Sequence, residues 1–409
     1  MKLPKGWKCE TVGDLCDFSN GHGFGPHNWS KVGLPIIRIQ NLNGEADFNY
    51  FNGRADADWL VEPGTLLFAW AGTRGVSFGP KIWNGPTGVL NQHIYRVHPR
   101  QGINKNWLYL ALREVTERIE RKAHGFKATL LHVGKKDIIR QVIDVPPLPE
   151  QRKIAEVLGA WDDGLENLDA LIVAKERRKK GLLQRLLTGK RRVKGFDKSA
   201  GKTSRDRFGD YPSDWKRVSL GEVTHEVMTR NANGAALPVL SCTKHQGLVF
   251  SEEYFGRRVY SANTIDYRVV KRGEYAYATN HIEEGSIGYQ NVCDAGLVSP
   301  IYTVFKSTDE VEDRYLYKVL KSVLLVHLYR ANTSSSVDRR GGLRYAEFAN
   351  IHVWLPGKKE QRAIADILDA CDEELRLLHA QRAAVERQKR GLMQRLLTGA
   401  TRVRTENYG

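Results

Sequence analysis

Along two stretches of this chain apolar residues return alternately four and three positions apart. In the first they are Ile154, Leu158, Trp161, Leu165, Leu168, Ile172, Leu182 and Leu186; in the second, Ile364, Leu368, Cys371, Leu375, Leu378, Val385, Leu392 and Leu396. The same step also lands on Lys175 and Lys179 in the first and on Arg382 and Lys389 in the second, so the pattern is a heptad seam interrupted by charge. Each stretch predicts one helix about 60 Å long. A helix of that length needs a partner for its seam, and the chain supplies one. Residues 150–189 align with 360–399 without a gap, with 23 identities in 40 positions, and both end in QRLLTG.

The segments in front of these helices have a different texture. Short β-rich runs such as LPIIRIQNL (34–42), TLLFAWA (65–71), HIYRVH (93–98) and ALPVLSC (236–242) are separated by Gly, Asn and Pro. One helical stretch comes late in each, at 106–123 and 312–332. The repeat persists here more faintly: Pro4-x-x-Trp7-Lys8 answers Pro212-x-x-Trp215-Lys216, and Ile94-Tyr95-x-Val97 answers Ile301-Tyr302-x-Val304. The expected organisation is a mixed α/β domain (1–147), a long helix (148–193), a polar Gly/Ser-bearing linker (194–210), a second α/β domain (211–357) and a second long helix (358–409).

Charge changes this picture, because it is concentrated. Of the net +16, residues 171–195 carry +9 and residues 381–404 carry +6. Two matching segments therefore hold nearly all the excess, as a polyanionic or acidic partner would favour, although solvated arginine-rich helix ends would give the same count. The five cysteines, Cys9, Cys16, Cys242, Cys293 and Cys371, are scattered without metal-ligand spacing, which favours reduced thiols. The N-terminal MKLPKGWKCETVGD has no apolar core, and no run reaches the length of a membrane span, so a cytoplasmic location is expected.

Catalytic motifs fail inspection one by one. Gly195–Thr203 resembles a phosphate loop but has five residues between its glycines instead of four, and no apolar strand precedes it. Gly21-His22-Gly23-Phe24-Gly25 runs into Pro26, as a turn does. Asp144-Val145-Pro146-Pro147 lacks the aromatic and the geometry of an adenine-methyltransferase motif. His93 and His281 have no partners at spacing suited to a nucleophile or a metal. Binding rather than catalysis is the expected role.

The alternation of a variable α/β domain with a long helix opening on PPLPEQRKIAEVL (146–158) or LPGKKEQRAIADIL (355–368) and closing on QRLLTG resembles the DNA-specificity (S) subunit of type I restriction-modification systems. The resemblance covers the whole chain; the second copy departs from it at Gly357-Lys358-Lys359, where the first has Pro147-Leu148-Pro149. It implies two target recognition domains, each reading one half of a bipartite, asymmetric site in double-stranded DNA. It also implies that the helices pair as an antiparallel coiled coil, setting the spacer and docking two methyltransferase subunits, with restriction subunits completing the complex. S-adenosylmethionine, ATP and Mg would then belong to those partners, leaving this chain non-catalytic and without metal or cofactor. A stand-alone bipartite DNA-binding regulator is the alternative.

Gly-flanked polar loops are the expected DNA contacts, since they approach a groove closely and carry donors for bases and phosphates. In the first half these contribute Thr73, Arg74, Asn91, Gln92, Lys127, Lys135 and Lys136; in the second, Thr243, Lys244, Asn280, His281, Ser335, Arg339, Arg340 and Arg344. The expected subunit interface comprises Ile154, Leu158, Trp161, Leu165, Leu168, Ile364, Leu368, Leu375, Leu378 and Leu396.

Overall fold

A computed structural model describes residues 3–122, 130–197, 203–206, 209–333 and 342–405. The first half builds β1 (Lys8–Thr11), β2 (Cys16–Asn20), β3 (Leu66–Ala69), β4 (Gly79–Ile82), β5 (Ile94–Pro99), α1 (Lys105–Lys122), β6 (Val142–Val145) and the long α2 (Leu148–Leu187), besides shorter strands. The second half repeats the plan. It contains β7 (Lys216–Ser219), β8 (Thr224–Val227), β9 (Tyr275–Ala278), β10 (Ile287–Tyr289), β11 (Tyr302–Ser307), α3 (Asp313–Leu320), α4 (Val323–Asn332), β12 (His352–Leu355) and the long α5 (Lys358–Leu397).

The duplication extends to the topology of the central sheet and of the ladder that closes each domain. Four antiparallel strands lie in the order β2-β5-β3-β4 in one half and β8-β11-β9-β10 in the other. A two-stranded ladder closes each domain, β1 on β6 with Lys8 opposite Val145, and β7 on β12 with Lys216 opposite Leu355. Local sequence explains where elements end earlier than hydrophobicity predicts. The run 34–42 is a strand only to Ile37; Asn41 then accepts from the Arg38 amide and donates to the Glu45 and Asp47 carbonyls, folding Ile39–Leu42 into a helical turn. The single helix expected over 312–332 divides at Ser322, whose hydroxyl caps α4 through the Leu325 amide. α2 stops at Leu187, short of residue 193, and within the stretch read as a linker Thr203–Asp206 pairs with Gly209–Pro212.

Two compact units divide the chain, residues 1–169 with 380–409, and residues 170–379. Each takes one half of each long helix. In the first unit Ile154 and Leu158 of α2 and Met393, Leu396 and Leu397 of α5 join Trp107, Leu108 and Leu112 of α1 and Phe68 of β3 in one core. In the second, Ile364 and Leu368 of α5 and Leu186 of α2 join Tyr275, Tyr277, Phe305, Tyr315 and Phe348.

The charged interruption of the seam is explained by cross-helix ion pairs. Lys389 meets Asp162 and Arg382 meets Asp169 at 2.6 Å in the first unit; Lys179 meets Asp372 and Lys175 meets Glu374 in the second. Rising numbers on one helix pair with falling numbers on the other, so the two helices run antiparallel within each unit. The Lys179–Asp372 and Lys389–Asp162 pairs occupy equivalent positions of the repeat.

The glutamate of each repeated EQR phrase meets an arginine three residues past a QRLLTG phrase. Glu150, only 2% exposed, accepts from Trp7 Nε1 at 3.0 Å and from Arg402 at 2.7 and 3.1 Å. Glu360, also 2% exposed, accepts from Arg192 at 2.7 and 2.8 Å. The neighbouring glutamines tie each helix to its own domain: Gln151 donates to the Pro146 carbonyl and accepts from the Asn104 amide, and Gln361 does the same with Pro356 and Glu312. Gly399 and Gly189, which close the two QRLLTG phrases, are left-handed at φ +69° and +68°, and a Cβ on either would lie 2.4 Å from Pro4 or Pro212. Each copy of QRLLTG thus turns against the Pro-x-x-Trp that opens an α/β domain.

Candidate nucleic-acid interface

In the first unit three loops distant in sequence converge around Trp70. The strand Ala71–Thr73 pairs with Leu130–His132, and the Val133 amide donates to the Trp70 carbonyl, which brings 71–75 beside 131–136. Trp70 Nε1 donates to the Gln92 carbonyl at 3.2 Å, adding the 91–93 loop, and its ring lies 5.3 Å from His93 and 6.1 Å from His132. Thr73 is half-buried, with its amide held by Ser77 Oγ, while Arg74, Gln92 and Lys136 are exposed. Asn91 donates its amide to the Ile37 carbonyl. Lys135 is committed locally, its ammonium donating to the Phe18 carbonyl at 2.7 Å. Next to Asn91 lies the Gly21–Gly25 turn, where a Cβ on Gly21 would stand 2.2 Å from the Asn91 carbonyl oxygen; there His22 stacks on Trp59 at 4.3 Å. Trp70, His132 and the His22–Trp59 pair are not among the residues that the sequence singles out, although a tryptophan directly after the apolar run LLFA is a usable signal.

The second unit assembles its loops with a lysine. Lys321, at the C-terminal end of α3, donates to the carbonyls of Lys244 and Gly285, at 2.6 and 2.7 Å, and so joins the 243–247 turn to the 278–285 turn. Burial lowers the pKa of this ammonium, and it raises the nearby Cys242 thiol to about 12. The Leu343 amide donates to the Thr279 carbonyl, which places Arg344 at the rim of a cleft of about 410 Å³ shared with Arg268, Thr279 and Tyr302. Thr243 spends its hydroxyl on its own turn, donating to the Gly247 carbonyl and accepting from the Gln246 amide. Lys244, Asn280, His281 and Arg344 are exposed. His281 stands among carboxylates, with Glu283 and Glu284 oxygens within 4.8 Å, and their negative charge opposes a phosphate contact. Lys127, Ser335, Arg339 and Arg340 lie outside the described residues.

The helix seam divides between interior and surface. Ile154, Leu158, Ile364, Leu368 and Leu396 are at most 2% exposed inside their own units, so they are core residues rather than a face offered to another subunit. Burying the terminal turns against the domains consumes them. Trp161, Leu165, Leu168, Leu375 and Leu378 remain half-exposed and form the part of the expected interface still open. Among the described residues no helix is long and apolar enough to cross a membrane.

Comparison with known proteins agrees with this duplicated plan. The type I restriction modification DNA specificity domain matches residues 4–174 and again 212–387. The MjaVIII type I restriction enzyme specificity subunit of Methanocaldococcus jannaschii is 22% identical over an alignment covering all of this chain and 96% of the relative. The EcoBI specificity subunit of Escherichia coli is 23% identical over 54% of this chain and 48% of its own length. Among solved structures, the S subunit of a type I system from M. genitalium superposes with a TM-score of 0.55 at 17% identity, covering 97% of this chain and 98% of that one. A chain from a study of complex assembly and conformational transition of the type I system superposes at 0.60, also at 17% identity, covering 98% and 100%. With one copy of the domain in each half, across most of its length, the chain belongs to the type I restriction-modification DNA specificity family.

Proposed function

We propose that this chain is the DNA-sequence specificity subunit of a cytoplasmic type I restriction-modification complex, itself non-catalytic, in which each recognition domain reads one half of a bipartite, asymmetric target. One observation carries this reading. The two units share the strand order of the central sheet and helices identical at 23 of 40 positions, yet the loops that converge in each, around Trp70 in one and around Lys321 in the other, differ in sequence. Common parts serve a common task, and divergent loops on a common frame serve different sequences. The half-exposed helix leucines then dock the modification subunits, and the helix length sets the unread spacer. S-adenosylmethionine, ATP and Mg belong to those partner subunits, as does the restriction machinery.

The test is an exchange of residues 1–147 for the matching segment of a relative, read by mapping methylated sites in a random-sequence DNA library with the assembled complex. One half-site changes while the other half-site and the gap stay as they were. A simultaneous change in both half-sites overturns the modular assignment.

A further inference from the structure

The helix ends carry a feature that DNA reading does not use. In the second unit the last turns of α2 and the segment beyond it enclose a cleft of about 510 Å³. Its rim holds Arg177, Arg178, Arg185, Arg191 and Lys194, and no acidic residue lines it. All five are exposed, and among the described residues none makes a salt bridge, whereas their neighbours Lys179 and Arg192 are bound to Asp372 and to Glu360 and Asp214. The floor is apolar, made by the buried Leu186 and the half-buried Leu182, Val193 and Ile367.

Its position separates it from the DNA-reading turns of the same unit. Asp369 of α5 receives Arg314 and Lys318 of α3, and Lys321 at the end of α3 pins those turns. Ile367 is two residues from Asp369, about 160° around the helix axis, so the cleft opens on the opposite flank of α5. Phosphates would use the cations and gain nothing from an apolar floor. A protein segment uses both.

The duplication supplies a counterpart 210 positions on, and it is weaker. The equivalents of the five rim residues are Arg387, Gln388, Arg395, Thr401 and Arg404, so two of the five cations are absent. We propose that the cleft of the second unit receives an acidic segment, bearing an apolar anchor, of a modification subunit, and that the counterpart receives the same segment of a second copy with lower affinity. Loading of the two subunits is then stepwise and ordered. This rests on the reading that modification subunits dock on the long helices.

The experiment titrates the full-length chain with the purified modification subunit of its own system, by calorimetry, at about 0.1 and 0.4 M salt. The wild type shows a tight, strongly salt-dependent step followed by a weaker, less salt-dependent one. The variant R178Q/R191T, which writes the counterpart's residues into the cleft, weakens the tight step about fivefold and lowers its salt dependence to that of the second. The converse variant Q388R/T401R strengthens the weak step. Binding of non-specific duplex DNA by the chain, measured by fluorescence anisotropy, stays unchanged in both, and unchanged melting confirms that both are folded. Partner affinity unaltered in the two folded variants overturns the proposal while leaving helix docking intact. A fall in DNA affinity with R178Q/R191T also overturns it, by assigning the cleft to phosphates. A wild-type chain that captures no modification subunit defeats the docking reading itself, and the proposal with it.

Discussion

Replacing Arg192 by Ala tests the way the long helices are locked to their domains. Glu360 is almost fully buried, and Arg192, with a side chain 13% exposed, supplies both of its charged hydrogen bonds while also holding Asp214. Trp215, at the position that answers Trp7, does not help: among the described residues its Nε1 has no hydrogen-bond partner. Arg192→Ala therefore strands a buried carboxylate, at a cost of about 3–5 kcal/mol. The equivalent Arg402→Ala is milder, because Trp7 Nε1 continues to donate to Glu150 and because Arg402 is 36% exposed and partly screened by solvent; about 2 kcal/mol is expected. For units of this size each kcal/mol moves a melting transition by about 3 °C, so scanning calorimetry should show drops of about 9–15 °C and about 6 °C. Adding Glu360→Gln to Arg192→Ala recovers part of the loss, since a neutral amide leaves no buried charge. Equal shifts for the two arginine variants, or no recovery on adding Glu360→Gln, would refute the asymmetry argued here.

Gly189→Ala and Gly399→Ala should each destabilise the unit that holds the turn by more than about 1 kcal/mol in urea unfolding, because the left-handed backbone and a proline contact at 2.4 Å oppose a Cβ together; a neutral result at either would remove its role as a helix stop. Trp70→Ala should weaken recognition of one half-site, by about 1–3 kcal/mol if one base contact is lost, and leave the other half-site in a methylation map unchanged. The α3–α5 ion cluster sets a pH window. Burial alone would raise the Asp372 carboxyl, but hydrogen bonds and charge from Lys179 and Lys318 hold it below its ordinary value, so its contribution is present above about pH 4 and lost as pH falls through the depressed value. Burial works against the Lys318 ammonium, yet Asp372 and Asp369 raise it, so its contribution is full below about pH 10.5 and lost above. Removing both partners in Lys318→Met/Asp372→Leu should flatten the acid limb of the unit's stability curve, and an unchanged limb would count against the cluster.

The sequence alone was sufficient for the parts of this protein that rest on periodicity and repetition. Two 40-residue helices, α2 and α5, follow from a seam that returns at helical spacing, and an internal alignment revealed that each α/β domain precedes one of them. Local polar chemistry modified the details, as where Asn41 turns a β-rich run into a helical turn and Ser322 divides a helix. What sequence could not decide was which distant residues meet. By sequence the charged positions only interrupt a heptad seam; the structure sets Asp162, Asp169, Asp372 and Glu374 opposite them. Five apolar seam residues assigned to a partner proved to be core, because whether a leucine stripe faces a neighbouring subunit or its own domain depends on what the fold brings against it. The converging loops are the same case. Trp70 draws in Gln92, His93 and His132, and Lys321 joins Lys244 to Gly285, through contacts between segments separated by up to 77 residues. Periodicity records the face a residue takes within its own element; the partner on that face is set by tertiary packing, which a single chain's local pattern does not encode.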